Sequence, residues 1–476
     1  MTRAADTVRR TPDWVVIVCC LFLAAFGWLN IYSASCVDDS QVFEWGARYG
    51  MQLIWMASAF IISIIILYVI PPNFYPTFAR EMYILMALLL IATIVIGTDI
   101  KGSHSWLVIG PIRLQPAEFS KITTALALAA LMEHYDFSFD KHRHSLKAFG
   151  VLLVPVLLIL LQHETGLALV YAGFLLCFYR EGMSGQVLLA GLLAIGLFIL
   201  TMIFSPHVAL TVMAGIAVFI AVGRSHFPER VLLYGVGIVL FMALMPLLWK
   251  WHWFANGPGR ISPAGWIAIL TVPVSLFFAV RFLIIRHKRY LANALLAFLF
   301  GAAVIFSADW AMSHLQEHQR LRVESLLGIR DDPTGVGYNV HQSKIAIGSG
   351  GFAGKGFLDG TQTRMNFVPE QTTDFIFCTV GEEWGFLGSL AILAAFLILI
   401  VRIYNRAEQQ KSRFNRIYGY CLASCLLMHV TINIGMTIGL MPVIGIPLPF
   451  VSYGGSSMWA FAILTAIWLR LDMENR

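Results

Sequence analysis

One polar stretch, residues 309–373, interrupts an otherwise apolar chain and carries most of the side chains that could do chemistry. It contains Asp331-Asp332-Pro333 followed by Gly335 and Gly337. An Asp-Pro step is by itself a turn, and the glycines keep the backbone adaptable. Here it is accompanied by Arg320, Arg322, Lys344, Lys355, Glu370 and, just beyond the stretch, Asp374. Such a set can supply one general base and several cations for an anionic leaving group. A second polar stretch, Arg113-Leu-Gln115-Pro-Ala-Glu118-Phe-Ser-Lys121, leads into an apolar segment. Glu118 and Lys121 are three apart and share one helical face. A buried pair that only locks two helices accounts for them as well as a functional site does. A third stretch, Gln162-His-Glu164-Thr-Gly166, holds a carboxylate that either caps a helix or lines a cavity. On these residues alone, an extracytoplasmic transferase and a transporter of a polar substrate stand level.

The elements that must position these groups are helices in a bilayer. The 476 residues are 58% hydrophobic and 13% charged, with a mean hydropathy of +0.74; a soluble domain carries about a quarter charged residues. The chain reads as an all-α polytopic membrane protein with about fourteen spans. They lie near 14–34, 51–70, 80–98, 115–133, 148–162, 165–180, 186–205, 208–223, 231–250, 264–286, 290–308, 373–402, 416–440 and 451–471. The first span lacks a small-residue cleavage site and is expected to stay as a helix.

The net charge of +6 does not point to nucleic acid. Arg3, Arg9 and Arg10, then Lys141, Arg143 and Lys147, then Arg286, Lys288 and Arg289, then Arg402, Arg406, Lys411, Arg413 and Arg416 all fall on one side of the predicted spans. By the positive-inside rule that side is the cytoplasm. Both termini are then cytoplasmic, and 99–113 and the large loop lie outside, where no ATP is available. Gly-Ser-Gly-Gly-Phe-Ala-Gly-Lys-Gly, ending at Gly356, fails as a phosphate-binding loop: Ser349 stands at its first glycine and Gly356 at its Ser/Thr position. The seven cysteines form no zinc-ligand array, no metal ligands are assigned, and Cys421 and Cys425 read as packing residues.

Several long motifs, in order, resemble the signature of the SEDS family, whose branches are RodA, FtsW and SpoVE. They are Gly102-Ser-His-Ser-Trp106-Leu-Val-Ile-Gly-Pro-Ile-Arg113-Leu-Gln115-Pro-Ala-Glu118-Phe-Ser-Lys121, Asp332-Pro-Thr-Gly-Val-Gly-Tyr338, Pro369-Glu370-Gln-Thr-Thr-Asp374 and Pro447-Leu-Pro-Phe-Val-Ser452-Tyr453-Gly454-Gly455-Ser456. The run from Gly354 resembles the RodA branch. The resemblance implies a peptidoglycan glycosyltransferase of the bacterial inner membrane that polymerises lipid II on the outer face for cell elongation and shape. It implies release of undecaprenyl pyrophosphate and a class B penicillin-binding protein as partner. It makes Asp332 the catalytic carboxylate.

Inversion from an α-linked donor to a β-1,4 glycan needs one carboxylate as general base. The pyrophosphate leaves as an anion and needs arginine, lysine or a divalent ion such as Mg or Mn; no other cofactor is expected. Arg113, Lys121 and Lys344 are the expected cations, and Gln115, Glu118, Glu370 and Asp374 complete the substrate-binding set. Trp106 either stacks on a sugar or anchors at the interface, the better account of a lone tryptophan.

Two departures stand out. The family's Gln-Pro-Asp-x-Gly-Thr reads Gln162-His163-Glu164-Thr-Gly166-Leu here. The middle of the chain holds about four helices beyond the family's core of about ten. The expected organisation is core helices over 1–185, extra helices and the one before the loop over 186–308, a catalytic loop over 309–373, and core helices over 374–476. Competing readings are a lipid-linked precursor flippase, disfavoured because no inverted repeat with paired broken helices is visible, and a non-catalytic scaffold.

Overall fold

Long apolar runs become helices of membrane-crossing length. The computed structural model describes residues 11–35, 43–100, 103–110, 112–204, 206–223, 228–249, 289–314 and 337–474, with isolated positions 275, 320, 321 and 324. They divide into two compact units, one from residues 1–184 and 333–476, the other from 185–332.

The first unit begins with α1 (Trp14–Ser35), α2 (Arg48–Tyr68) and α3 (Phe74–Ile96). After a small sheet, described below, come α4 (Pro116–Glu133), α5 (His142–Leu161), α6 (Thr165–Val170) and α7 (Phe174–Arg180). The second unit holds α8 (Gly185–Ile203), α9 (Pro206–Gly223), α10 (Pro228–Trp249) and α11 (Arg289–His314). These pack around Leu197, Leu210, Met213, Met242, Phe298 and Ile305. The first unit resumes with α12 (Tyr338–Ser349), α13 (Thr361–Arg364), α14 (Ile376–Glu383), α15 (Gly385–Glu408), α16 (Arg413–Thr437) and α17 (Gly455–Glu474).

Among the described residues, eight helices are long and apolar enough to cross a membrane: α1, α2, α3, α5, α8, α11, α15 and α16. The expected span 264–286 lies outside the described residues, save Ser275. α4 and α17 are too polar to count by composition, α4 because Glu118 and Lys121 lie inside it. In the first unit α2 packs along α17, α3 along α4, and α16 against both α4 and α15. The apolar window of α16 is 78% buried, against 17–39% for α1, α2, α3 and α15, so α16 is the central helix of this unit.

Four features depart from the sequence expectation. The chain is not purely helical: β1 (Thr98–Ile100), β2 (Ser103–Ile109) and β3 (Ile112–Leu114) form an antiparallel sheet. The Gly110-Pro111 step between two short β-prone runs is a turn signal that accounts for β2–β3. The expected span 165–180 is broken by a 3-10 turn at Tyr171–Gly173, where Gly173 sits so close to α16 that a side chain would meet the Ser424 carbonyl at 2.9 Å. The expected loop 309–373 is largely folded where it is described: α11 runs on to His314, and α12 and α13 lie between 338 and 364. The span expected at 373–402 starts instead at Gly385, whose φ of +61° breaks α14 from α15.

Candidate active site

Pro116 at the first position of α4 starts the helix just after β3, and this sets Glu118 and Lys121 in its first two turns. Lys121 is only 1% exposed and Glu118 2%. Burying an ammonium without partners is prohibitive, so its surroundings decide whether the arrangement is stable. Lys121 donates to Glu118 Oε2 at 2.5 Å. Its Nζ lies 2.9 Å from His429 Nε2 on α16 and 4.7 Å from the centre of the Phe461 ring on α17. The other ring nitrogen of His429, Nδ1, lies 3.2 Å from the Pro447 carbonyl oxygen. A carbonyl can only accept, so Nδ1 carries the proton and Nε2 is left to accept from the ammonium. The lysine, the carboxylate and the imidazole come from two helices that meet at the centre of the unit.

Residues 442–454, between α16 and α17, wrap this cluster. Asn433, one turn beyond His429 on α16, donates to the main-chain oxygens of Asp374 at 2.8 Å and Ile446 at 2.6 Å. Ser452 Oγ donates to the Thr373 carbonyl at 2.6 Å, and the Tyr453 N–H donates to the Thr372 carbonyl at 2.8 Å. From α2, Arg48 donates to Thr372 Oγ1 at 2.7 Å, and Gln52 Oε1 accepts from the Gly454 N–H at 3.2 Å. At the start of α17, Ser456 Oγ accepts from the Gln115 N–H at 3.1 Å and donates to the Arg113 carbonyl at 3.2 Å.

Glu164 resolves one open question of the sequence. It stands at the N-cap position of α6 but makes no capping bond. Its Oε1 accepts instead from Ser105 Oγ at 2.7 Å and from Gln115 Nε2 at 3.1 Å, tying β2, the entry to α4 and the entry to α6 together. Its neighbour Gln162 is a structural lock, donating to the Leu90 carbonyl and to Thr93 Oγ1 on α3.

Of the residues singled out in the sequence, Gln115, Glu118 and Lys121 thus lie within this network. Arg113 is exposed and joins it through its main chain, and Asp374 is half-buried and tied in through Asn433. Glu370, half-buried with a φ of +56°, accepts from Thr373 Oγ1 at 3.1 Å through Oε2. Trp106 is half-buried on β2. Lys344 is exposed on α12, its ammonium 2.7 Å from the point where a side chain on Gly439 would begin. Lys355 is committed elsewhere, bonded at 2.7 Å to the buried Glu382. Asp332 lies outside the described residues, as do Asp331 and Arg322. Among the described residues, no three His, Cys, Asp or Glu side chains come together to hold a metal ion.

Sequence reasoning missed His429, Asn433 and Ser105. The first two carried a signal: polar side chains one turn apart in an apolar span lie on one helix face and face protein, not lipid.

A family model described as "Cell cycle protein", built on FtsW, RodA and SpoVE, matches residues 13–221 and 270–476. Peptidoglycan glycosyltransferase MrdB of Escherichia coli K12 is 30% identical over 480 residues, covering 99% of this chain and 96% of the relative. Peptidoglycan glycosyltransferase RodA of Treponema pallidum is 28% identical, covering 97% of this chain and 98% of the relative. Among solved structures, a chain from a study of polymerization and crosslinking by a peptidoglycan synthase complex superposes with a TM-score of 0.60 at 21% identity, covering 98% of both chains. The rod shape-determining protein RodA of Thermus thermophilus superposes with a TM-score of 0.52 at 21% identity, again covering 98% of both.

Proposed function

The chain belongs to the FtsW, RodA and SpoVE family of cell cycle proteins, and we propose that it is a RodA-type peptidoglycan glycosyltransferase. It polymerises lipid II into β-1,4 glycan strands for cell elongation and releases undecaprenyl pyrophosphate. The observation that carries this reading is the 30% identity to MrdB over 99% of the chain. The site is consistent with it: a buried, fully partnered cation and two carboxylate-bearing segments converge on one turn.

Inversion at the anomeric carbon proceeds by a single displacement. Asp332 takes the proton from the acceptor 4-hydroxyl as the new bond forms. The leaving pyrophosphate is already an anion and needs no proton, so cations stabilise it. In this reading Arg113 and Lys344, both exposed, are the cations that meet it. Lys121 is buried and contributes the charge it holds, about 8 Å into α4 at 1.5 Å per residue. Gln115, Glu370 and Asp374 orient the sugars, while the buried Glu118 acts only through its bond to Lys121; Trp106, half-buried on β2, is the aromatic group of this set. The described residues offer no set of ligands for a divalent ion, so no step is routed through one; activity in chelator decides whether Mg or Mn takes part.

The topology that fits this chemistry places both termini in the cytoplasm and the 442–454 turn, the sheet and the N-terminal end of α4 on the outer face of the inner membrane. About fourteen spans would satisfy it. The interruption of the family match at residues 222–269 supports inserted chain in the middle of the sequence. The partner in this reading is a class B penicillin-binding protein that cross-links the product.

The test is polymerisation of labelled lipid II by the purified protein, with and without that partner, beside Asp332→Ala. Glycan ladders from the wild type alone support both the reaction and its base. A fully active Asp332→Ala protein sinks the assignment. No ladder, with lipid II crossing a proteoliposome membrane instead, favours the flippase.

A further inference from the structure

The Lys121 ammonium has three hydrogens to place in a site from which water is excluded. Glu118, three residues earlier on the same helix, takes one. A pair confined to one helix face fixes distance but leaves the charge free to swing about α4. His429 Nε2 takes a second hydrogen at 2.9 Å from a different helix, and the face of Phe461 meets the charge at 4.7 Å from a third. Direction is therefore set from outside α4.

His429 is itself held on two sides. Its Nδ1–H is committed to the Pro447 carbonyl, and its ring stands edge-on to Phe461, centroids 4.8 Å apart and planes at 89°. Pro447 belongs to the turn whose Ile446 oxygen accepts from Asn433, which also holds Asp374. The same turn leads to Ser456, which holds Gln115 and Arg113. One imidazole thus registers a buried ion pair against the turn that gathers the other site residues.

We propose that His429 is a positioning residue for the transfer reaction: it aligns the Glu118–Lys121 pair with the 442–456 turn, and through that turn with Gln115, Arg113 and Asp374. It touches neither substrate nor reacting atom. This inference rests on the transferase reading above.

Two substitutions separate hydrogen bonding from packing. His429→Gln offers an amide oxygen to Lys121 and an amide hydrogen to Pro447. His429→Leu fills the volume with apolar atoms and offers neither. In the full-length protein with its penicillin-binding partner, lipid II polymerisation should fall about tenfold or more in kcat for His429→Leu and stay within about threefold for His429→Gln. A purely space-filling histidine would give the reverse order, and that result overturns the proposal. So does a fully active His429→Leu protein.

Hydrogen exchange followed by mass spectrometry gives a readout that does not depend on activity. Residues 372–375 and 446–456 should exchange faster in His429→Leu than in wild type, and not in His429→Gln. Unchanged exchange in His429→Leu refutes the positioning role whatever the assay shows. If the wild type polymerises nothing yet exchange rises as expected, the transferase reading fails and the registration of pair to turn stands.

Discussion

Asn433 holds two separate chain segments with one side-chain amide: its nitrogen donates to Asp374 O at 2.8 Å and to Ile446 O at 2.6 Å. The residue is completely buried on the central helix α16. The two carbonyls are 72 residues apart in sequence, and neither belongs to a regular element that could satisfy it. The amide therefore replaces a sheet or helix partner at the place where the Glu370–Asp374 segment meets the 442–454 turn.

Asn433→Leu removes both donors while roughly keeping the volume. Each buried acceptor left unpaired costs about 1–3 kcal/mol. The variant should melt at a clearly lower temperature in detergent and lose polymerisation more steeply than stability, since Asp374 is released with its carbonyl. A variant that melts like the wild type would show that water or another donor replaces the amide.

Glu382 is a buried charge whose partners come from one stretch of chain. It is completely buried and accepts from Lys355 Nζ at 2.7 Å, the Gln362 N–H at 2.9 Å, and the N–H and hydroxyl of Thr363 at 2.9 and 2.7 Å. These bonds pin residues 355–363 to α14. Glu382→Ala leaves a lysine and three donors without their acceptor, a loss of about 3–5 kcal/mol for a broken buried pair. Lys355→Met should cost less, because Lys355 is 27% exposed and the remaining bonds to Glu382 persist. Limited proteolysis should cut Glu382→Ala within 355–364 under conditions that spare both the wild type and Lys355→Met. Equal protection of all three would remove the latch.

Some spans were legible because hydropathy reads burial in lipid directly: α1 and α3 fall within a few residues of their expected bounds at most ends. What hydropathy could not see was where a helix must break for packing. Tyr171–Gly173 and Gly385 are such places, and both depend on neighbours distant in sequence. The site was half legible. Glu118 and Lys121 announced themselves as charges inside an apolar segment. His429, 308 residues away from Lys121, could be read with Asn433 only as facing protein, because that local pattern does not name its partner. Asp332 was picked out as catalytic by family resemblance, since its own spacing reads equally well as a turn.

Tyr83 and Pro155 form a compensated defect. Pro155 lies inside α5 and has no N–H for the Val151 carbonyl four residues earlier. The Tyr83 hydroxyl on α3 donates to that carbonyl at 3.0 Å. Tyr83→Phe should therefore destabilise by about 1–2 kcal/mol. Adding Pro155→Ala restores an N–H to the helix, so the tyrosine substitution should cost clearly less in that background. A double-mutant cycle of melting curves measures the difference; strict additivity would mean that hydroxyl and proline are unrelated.

Asp13, just before α1, supports a prediction about pH. Its carboxylate is buried and meets Arg402 at 3.0 Å and Arg406 at 3.1 Å, and it accepts from the Val15 N–H at 3.1 Å. Burial alone would raise its pKa. The Arg402 charge and the bonds from Arg406, Arg402 and Val15 outweigh burial and hold it below its ordinary 3.8. Because the folded value lies below the unfolded one, this group's contribution is complete above the unfolded value and is lost as pH falls through the folded one. Asp13→Asn should then melt below the wild type by a constant margin from about pH 5 to 8, and that margin should shrink below about pH 4. A margin that widens on acidification would reverse the sign and show that the carboxylate is held protonated instead of paired.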